Sequence, residues 1–124
     1  MTRHILVVED DIHGQQITKS VLEYSGFIVD TASDAEQALQ FIEQQIYRVA
    51  IIDLSLPGRS GWELLEEILT QYSPSEFPCI AITAYHSTRV AQQALEAGFV
   101  GYFSKPIDIE VFVDQISQYL VESD

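Results

Sequence analysis

Strand-like, largely apolar stretches recur along the chain at Ile5–Val8, Phe27–Val29, Tyr47–Ile52 (unbroken from Val49), Cys79–Ile82 and Phe99–Phe103. Each is bounded by polar or turn residues, the pattern of strands buried on both faces. Between them the spacing changes to that of helices. From Ile12 to Tyr24 the apolar residues Ile12, Ile17, Val21, Leu22 and Tyr24 recur near one face, and Gly26 reads as a stop. Ser33 with Glu36 forms a capping box ahead of Ala35, Ala38, Leu39 and Ile42. Ser60 with Glu63 repeats the box before Trp62, Leu64, Leu65, Ile68 and Leu69. Ser87 caps a helix through Val90, Ala91, Ala94 and Leu95 that Gly98 ends. Asp108 caps a last one, with Val111, Phe112, Ile116 and Leu120 expected to face inward. The two prolines of Ser73–Pro78 mark a linker.

Strand and helix alternating five times predict an α/β fold, a parallel sheet covered on both faces. Right-handed crossovers bring every strand's C-terminal end to one rim. With no repeat or internal boundary, we expect one domain over 1–124.

Composition narrows the function. Six Lys and Arg face nineteen Asp and Glu, for a formal net charge of −13. That field repels nucleic acid and attracts cations and basic protein surfaces. No apolar run reaches the ~18 residues a membrane span needs. The apolar residues before Glu9 are too few for a signal peptide, so a cytoplasmic location is expected. The lone Cys79 reads as a small buried hydrophobe. His4, His13 and His86 have no ligand spacing.

The candidate chemistry lies at the strand ends. Glu9, Asp10 and Asp11 follow the first strand, Asp53 the third, Thr83 and Ala84 the fourth, and Lys105-Pro106 the fifth. Singly, each has a plain use: Asp53 in a turn, Asp10 and Asp11 as helix caps, Thr83 in a strand, Lys105 in solvent. Together they put carboxylates, a hydroxyl and an ammonium on one rim. Clustered carboxylates repel and raise one another's pKa unless a cation intervenes, and all-oxygen ligands suit Mg²⁺. An Asp beside such a cation and a lysine is placed to attack phosphorus.

The order Ile-Leu-Val-Val-Glu9-Asp10-Asp11, Asp53-Leu-Ser-Leu-Pro57-Gly…Gly61, Ile82-Thr83-Ala84, Ala94-Leu-Glu-Ala-Gly98 and Gly101-Tyr102-Phe-Ser-Lys105-Pro106 resembles the receiver domain of two-component response regulators over essentially the whole chain. The resemblance implies a flavodoxin-like, doubly wound sheet of five parallel strands in order 2-1-3-4-5 with five helices. It implies that Asp53 accepts a phosphoryl group from a histidine kinase or phosphotransfer domain. Asp10 would bind Mg²⁺ (or Mn²⁺) directly and Glu9 through a water, with Asp53 and the Ser55 carbonyl as further ligands. Thr83 would swing onto the phosphoryl group, Lys105 pair with it, and Tyr102 turn inward. The Lys105–Pro106 peptide would be cis. The protein would be no enzyme beyond its own phosphorylation and slow dephosphorylation, and would signal to an unknown downstream protein.

Several positions depart from the common pattern. Glu9 stands where Asp is commoner, one methylene longer. Ser55 and Tyr85 occupy positions that tune dephosphorylation in this family; neither orients water well, so slow loss of phosphate is expected. Val100 and Gly101 replace acids that support dimers of DNA-binding regulators. The chain ends at Asp124, just past the last helix, so a stand-alone module is expected, with a fragment of a hybrid kinase or a relay intermediate as the alternative. A flavin carrier would need a phosphate cradle where Glu9–Asp11 stand. An aspartyl phosphatase of the haloacid dehalogenase type would need an acid at Ser55.

Overall fold

A computed structural model describes residues 4–121. Five strands and five helices alternate: β1 (His4–Val8), α1 (Ile12–Tyr24), β2 (Ile28–Ala32), α2 (Ala35–Gln44), β3 (Val49–Asp53), α3 (Gly61–Leu69), β4 (Cys79–Thr83), α4 (Thr88–Ala97), β5 (Gly101–Ser104) and α5 (Ile109–Val121). The strands are all parallel, in the order β2-β1-β3-β4-β5.

Every residue of β3 and β4 is buried, as unbroken apolar runs require when both faces are covered. Alternation sorts their side chains into two cores. Ala50, Ile52 and Ala81 join Ala35 and Ala38 of α2, Leu64 and Leu65 of α3 and Ala94 of α4. Val49, Ile51, Ile80 and Ile82 join Leu22 of α1 and Phe112 and Ile116 of α5. The edge strand β2 buries only Val29 and Ala32 fully and leaves Ile28 exposed.

The element count and order agree with the sequence expectation; several boundaries do not. β2 starts at Ile28 and runs through Ala32, because Asp30 and Thr31 continue the pairing with β1. β3 begins at Val49 and includes Asp53, and β5 runs from Gly101 through Ser104, set by the register on β4. Asp34 rather than Ser33 caps α2, its carboxylate accepting from Gln37 N–H while Gln37 Oε1 accepts from Ser33 N–H. In α1 the expected stripe is wrong for Ile12, Ile17 and Tyr24, which are exposed; Gln15, Thr18 and Leu22 face inward. On that inward face Gln15 is satisfied by donating to the Glu9 carbonyl and to Ser33 Oγ. Leu95 and Val111 are also exposed, and the side chain of Leu120 lies outside the described residues.

The Ser60–Glu63 capping box forms reciprocally, at 3.2 and 3.0 Å. It anchors the start of α3 beside the loop that leaves Asp53. There Gly61 allows close approach: a Cβ would fall on the Asp53 carbonyl and Leu54 Cα. No helix among the described residues is long and apolar enough to cross a membrane.

Candidate functional site

Strand register builds the site. Val8 pairs with Ile52, so Glu9 and Asp53 each stand one residue beyond that pair, at the same level on the rim. Asp53 pairs with Ile82 and Thr83 with Ser104, which puts Thr83 and Lys105 one step further on. Backbone bonds continue the ladder past the strand ends: Leu54 N–H donates to Ile82 O at 3.0 Å, and Lys105 N–H to Thr83 O at 2.8 Å.

Lys105 is the hub. Its Nζ donates to Glu9 Oε1 at 2.5 Å and to Asp53 Oδ2 at 2.8 Å. The peptide between Lys105 and Pro106 is cis. The other Asp53 oxygen, Oδ1, accepts from Ser55 N–H at 2.9 Å. Glu9, Asp53 and Thr83 are buried, whereas Asp10, Ser55 and Ala84 are exposed. The Thr83 hydroxyl accepts from Tyr85 N–H at 3.0 Å, and the Tyr85 side chain projects into solvent.

The charges do not balance evenly. Burial raises the Glu9 carboxyl to a pKa of about 7, the Asp53 carboxyl beside it adding to the rise and Lys105 opposing it. Burial also pushes Asp53 up, but the adjacent Glu9 carboxyl, which takes up a proton more readily, and the hydrogen bonds from Lys105 and Ser55 N–H outweigh it and hold Asp53 below its ordinary value. Lys105 loses hydration yet is held above its usual pKa by both carboxylates. Asp53 is thus the more acidic member of the pair.

Glu9, Asp10 and Asp53 each offer an oxygen to a cluster whose atoms all lie within 4.8 Å of one another. Buried Glu9 Oε2 has no hydrogen-bond partner. Polar atoms are seldom buried unsatisfied, and a hard cation would supply what this one lacks. The donor set therefore fits Mg²⁺. Asp11 stays out of the cluster and caps α1, accepting from Gly14 N–H at 2.9 Å.

The sequence expectation put Glu9, Asp10, Asp11, Asp53, Thr83, Ala84 and Lys105-Pro106 at the strand ends of one rim; the structure joins Glu9, Asp53 and Lys105 directly, brings Asp10 into the acidic cluster and leaves Asp11 capping α1. Two neighbours were missed. His86, read as a scattered surface histidine, lies with Nδ1 3.1 Å from the Tyr102 hydroxyl, their rings 5.6 Å apart. Gln15 Nε2 donates to the Glu9 carbonyl at 2.5 Å. Hydrophobic spacing gave no signal for it, since that spacing put Ile12 and Ile17 on the inward face.

A family model described as the response regulator receiver domain matches residues 5–117. The chain belongs to this family. Receiver domains are signalling switches of two-component systems; they bind Mg²⁺ at an acidic pocket and interact with histidine kinases or phosphotransfer proteins. The chain is 33% identical over 115 residues to an uncharacterized 14.6 kDa protein of Leptolyngbya boryana, covering 93% of this chain and 88% of that one. It is 33% identical over 119 residues to the two-component response regulator PhoP of Pseudomonas aeruginosa, covering 96% of this chain. It spans only 52% of PhoP, about half its length. Among solved structures it resembles a CheY-like receiver domain protein from Methanospirillum hungatei, with a TM-score of 0.87, 32% identity and coverage of 98% and 96% of the two chains.

Proposed function

We propose that this receiver is a phosphorylation switch in which Asp53 accepts a phosphoryl group from a histidine on a kinase or phosphotransfer protein. The observation that carries the reading is the Lys105 ammonium bridging Asp53 and Glu9 on a rim shared with Asp10 and Thr83. A carboxylate oxygen of Asp53 attacks phosphorus, the bond from phosphorus to the donor imidazole nitrogen breaks, and that nitrogen keeps the electron pair and takes a proton. The product is an acyl phosphate on Asp53.

Lys105 pairs with the charge the phosphoryl oxygens bring, and the Ser55 N–H steadies the Asp53 carboxyl. Glu9, Asp10, Asp53 and the Ser55 carbonyl would hold Mg²⁺, which would offset the repulsion between carboxylates and phosphoryl oxygens. The Thr83 hydroxyl leaves the Tyr85 N–H to bond the phosphoryl group, and Tyr102 turns inward as it does so. The surface around β4, α4 and β5 then presents a changed face to a downstream protein. Ser55 and Tyr85 orient no attacking water, so the acyl phosphate is long-lived; a lifetime of seconds would contradict this. Residues 1–124 act here as one domain.

Labelling with a small phosphodonor in Mg²⁺ tests the site. Wild type incorporates one phosphoryl group and Asp53→Asn none. Equal labelling of both proteins overturns the proposal.

A further inference from the structure

Gly14 lies in the first turn of α1, and its backbone does not require glycine. The glycines in left-handed conformation are Gly26, Gly58 and Gly98. Within a helix, alanine is the better former. Space is what singles Gly14 out. A Cβ there would lie 2.6 Å from Glu9 Oε1, 3.2 Å from Glu9 Cδ and 3.3 Å from Asp11 Oδ2.

A flexible side chain in solvent would simply move aside, but Glu9 is only 1% exposed and pinned at both ends. Its Oε1 is held by Lys105 at 2.5 Å, and its carbonyl by Gln15 at 2.5 Å. A glutamate is one methylene longer than an aspartate, and in a buried pocket that length must be folded against something. Here it folds against the bare backbone of Gly14.

We propose that Gly14 is a positioning residue for Glu9. The missing side chain lets the longer carboxylate lie against α1, with Oε1 on Lys105 and Oε2 left buried and unpartnered for a cation. Gly14 and Glu9 thus act as a matched pair. Alanine at position 14 would displace the carboxylate; aspartate at position 9 would remove the need for glycine. The cation part of this inference rests on the Mg²⁺ reading above; the contact itself does not.

A double-mutant cycle tests it, using wild type, Gly14→Ala, Glu9→Asp and Gly14→Ala/Glu9→Asp. Calorimetric titration with MgCl₂ should show Gly14→Ala weakening binding about tenfold or more, the range that outer-shell changes produce. In the Glu9→Asp background the same substitution should change affinity less than about twofold, the shorter acid having room. Melts in EDTA give a metal-free readout. Gly14→Ala should lower the melting temperature with Glu9 present, and leave it level or raise it in the Glu9→Asp background. Equal effects of Gly14→Ala in both backgrounds, or none in either, overturn the proposal. If wild type binds no Mg²⁺, the cation reading and the affinity half of the inference both fall, and the EDTA cycle alone decides the contact.

Discussion

Among the acids of the site, Glu9 is the one whose proton affinity the fold raises. Its pKa stands at about 7 in the folded chain against 4.5 when unperturbed, chiefly through burial. Between those values the folded state binds the proton more tightly than the unfolded state, so stability falls as pH rises through that window. The metal-free protein is therefore expected to melt at lower temperature at about pH 7.5 than at about pH 5.5. Glu9→Gln, which cannot ionise, should flatten that fall. Thermal melts in EDTA across this range check the point, and an unchanged slope in the variant would count against it. Asp53 has the opposite sense: its pKa is lowered, so its contribution is present above the ordinary carboxyl range and lost as pH falls below it.

At the scale of elements, strand ends deliver the functional residues to the rim and the neighbouring helix starts hold them there. In β3, as in β4, all five residues are buried and the two faces belong to different cores. Replacing Ile51, fully buried beneath α1 and α5, by alanine should cost about 2–5 kcal/mol in urea denaturation. The start of α3 offers a graded comparison. Ser60→Ala removes one half of the capping box and should cost about 1 kcal/mol. Gly61→Ala drives a Cβ into the Asp53 carbonyl and Leu54 backbone, atoms that cannot rotate away. Overpacking of this kind costs about 1–3 kcal/mol, and here it should also impair labelling of Asp53, since the strained segment carries that residue. Ser60→Ala should leave labelling intact. A Gly61→Ala protein as stable and as readily labelled as wild type would refute this view of the loop.

For the whole molecule, nineteen acidic residues against six basic ones make cation binding more than a local event. A ligand that binds only the folded state stabilises it by mass action, by about 2.7 kcal/mol at one hundred times its Kd. Saturating Mg²⁺ should therefore raise the melting temperature by several degrees, and EDTA should reverse the rise. Asp10→Asn, which neutralises the exposed member of the acidic cluster without disturbing the core, should reduce the shift. An identical shift in that variant would place the cation elsewhere on the acidic surface.

Much of this was legible along the chain. Apolar runs bounded by turns specify strands because a backbone buried on both faces must pair with neighbours, and the alternating helices then dictate parallel order and a common rim. The strand-end residues Glu9, Asp53, Thr83 and Lys105 could be gathered from that logic alone. The faces of α1 could not. Its exposed Ile12 and Ile17 and its inward Gln15 run against hydrophobic spacing, and the partner that satisfies Gln15 there, the Glu9 carbonyl, lies outside the helix. Nor could the sequence reveal that Gly14 is a space rather than a helix weakness, that His86 meets Tyr102, or that Lys105 grips Glu9 and Asp53 together. Local pattern determines which residues stand at the rim, since it depends on period and turn chemistry. Distances between side chains from separate strands depend on register and packing, and only the tertiary structure decides those.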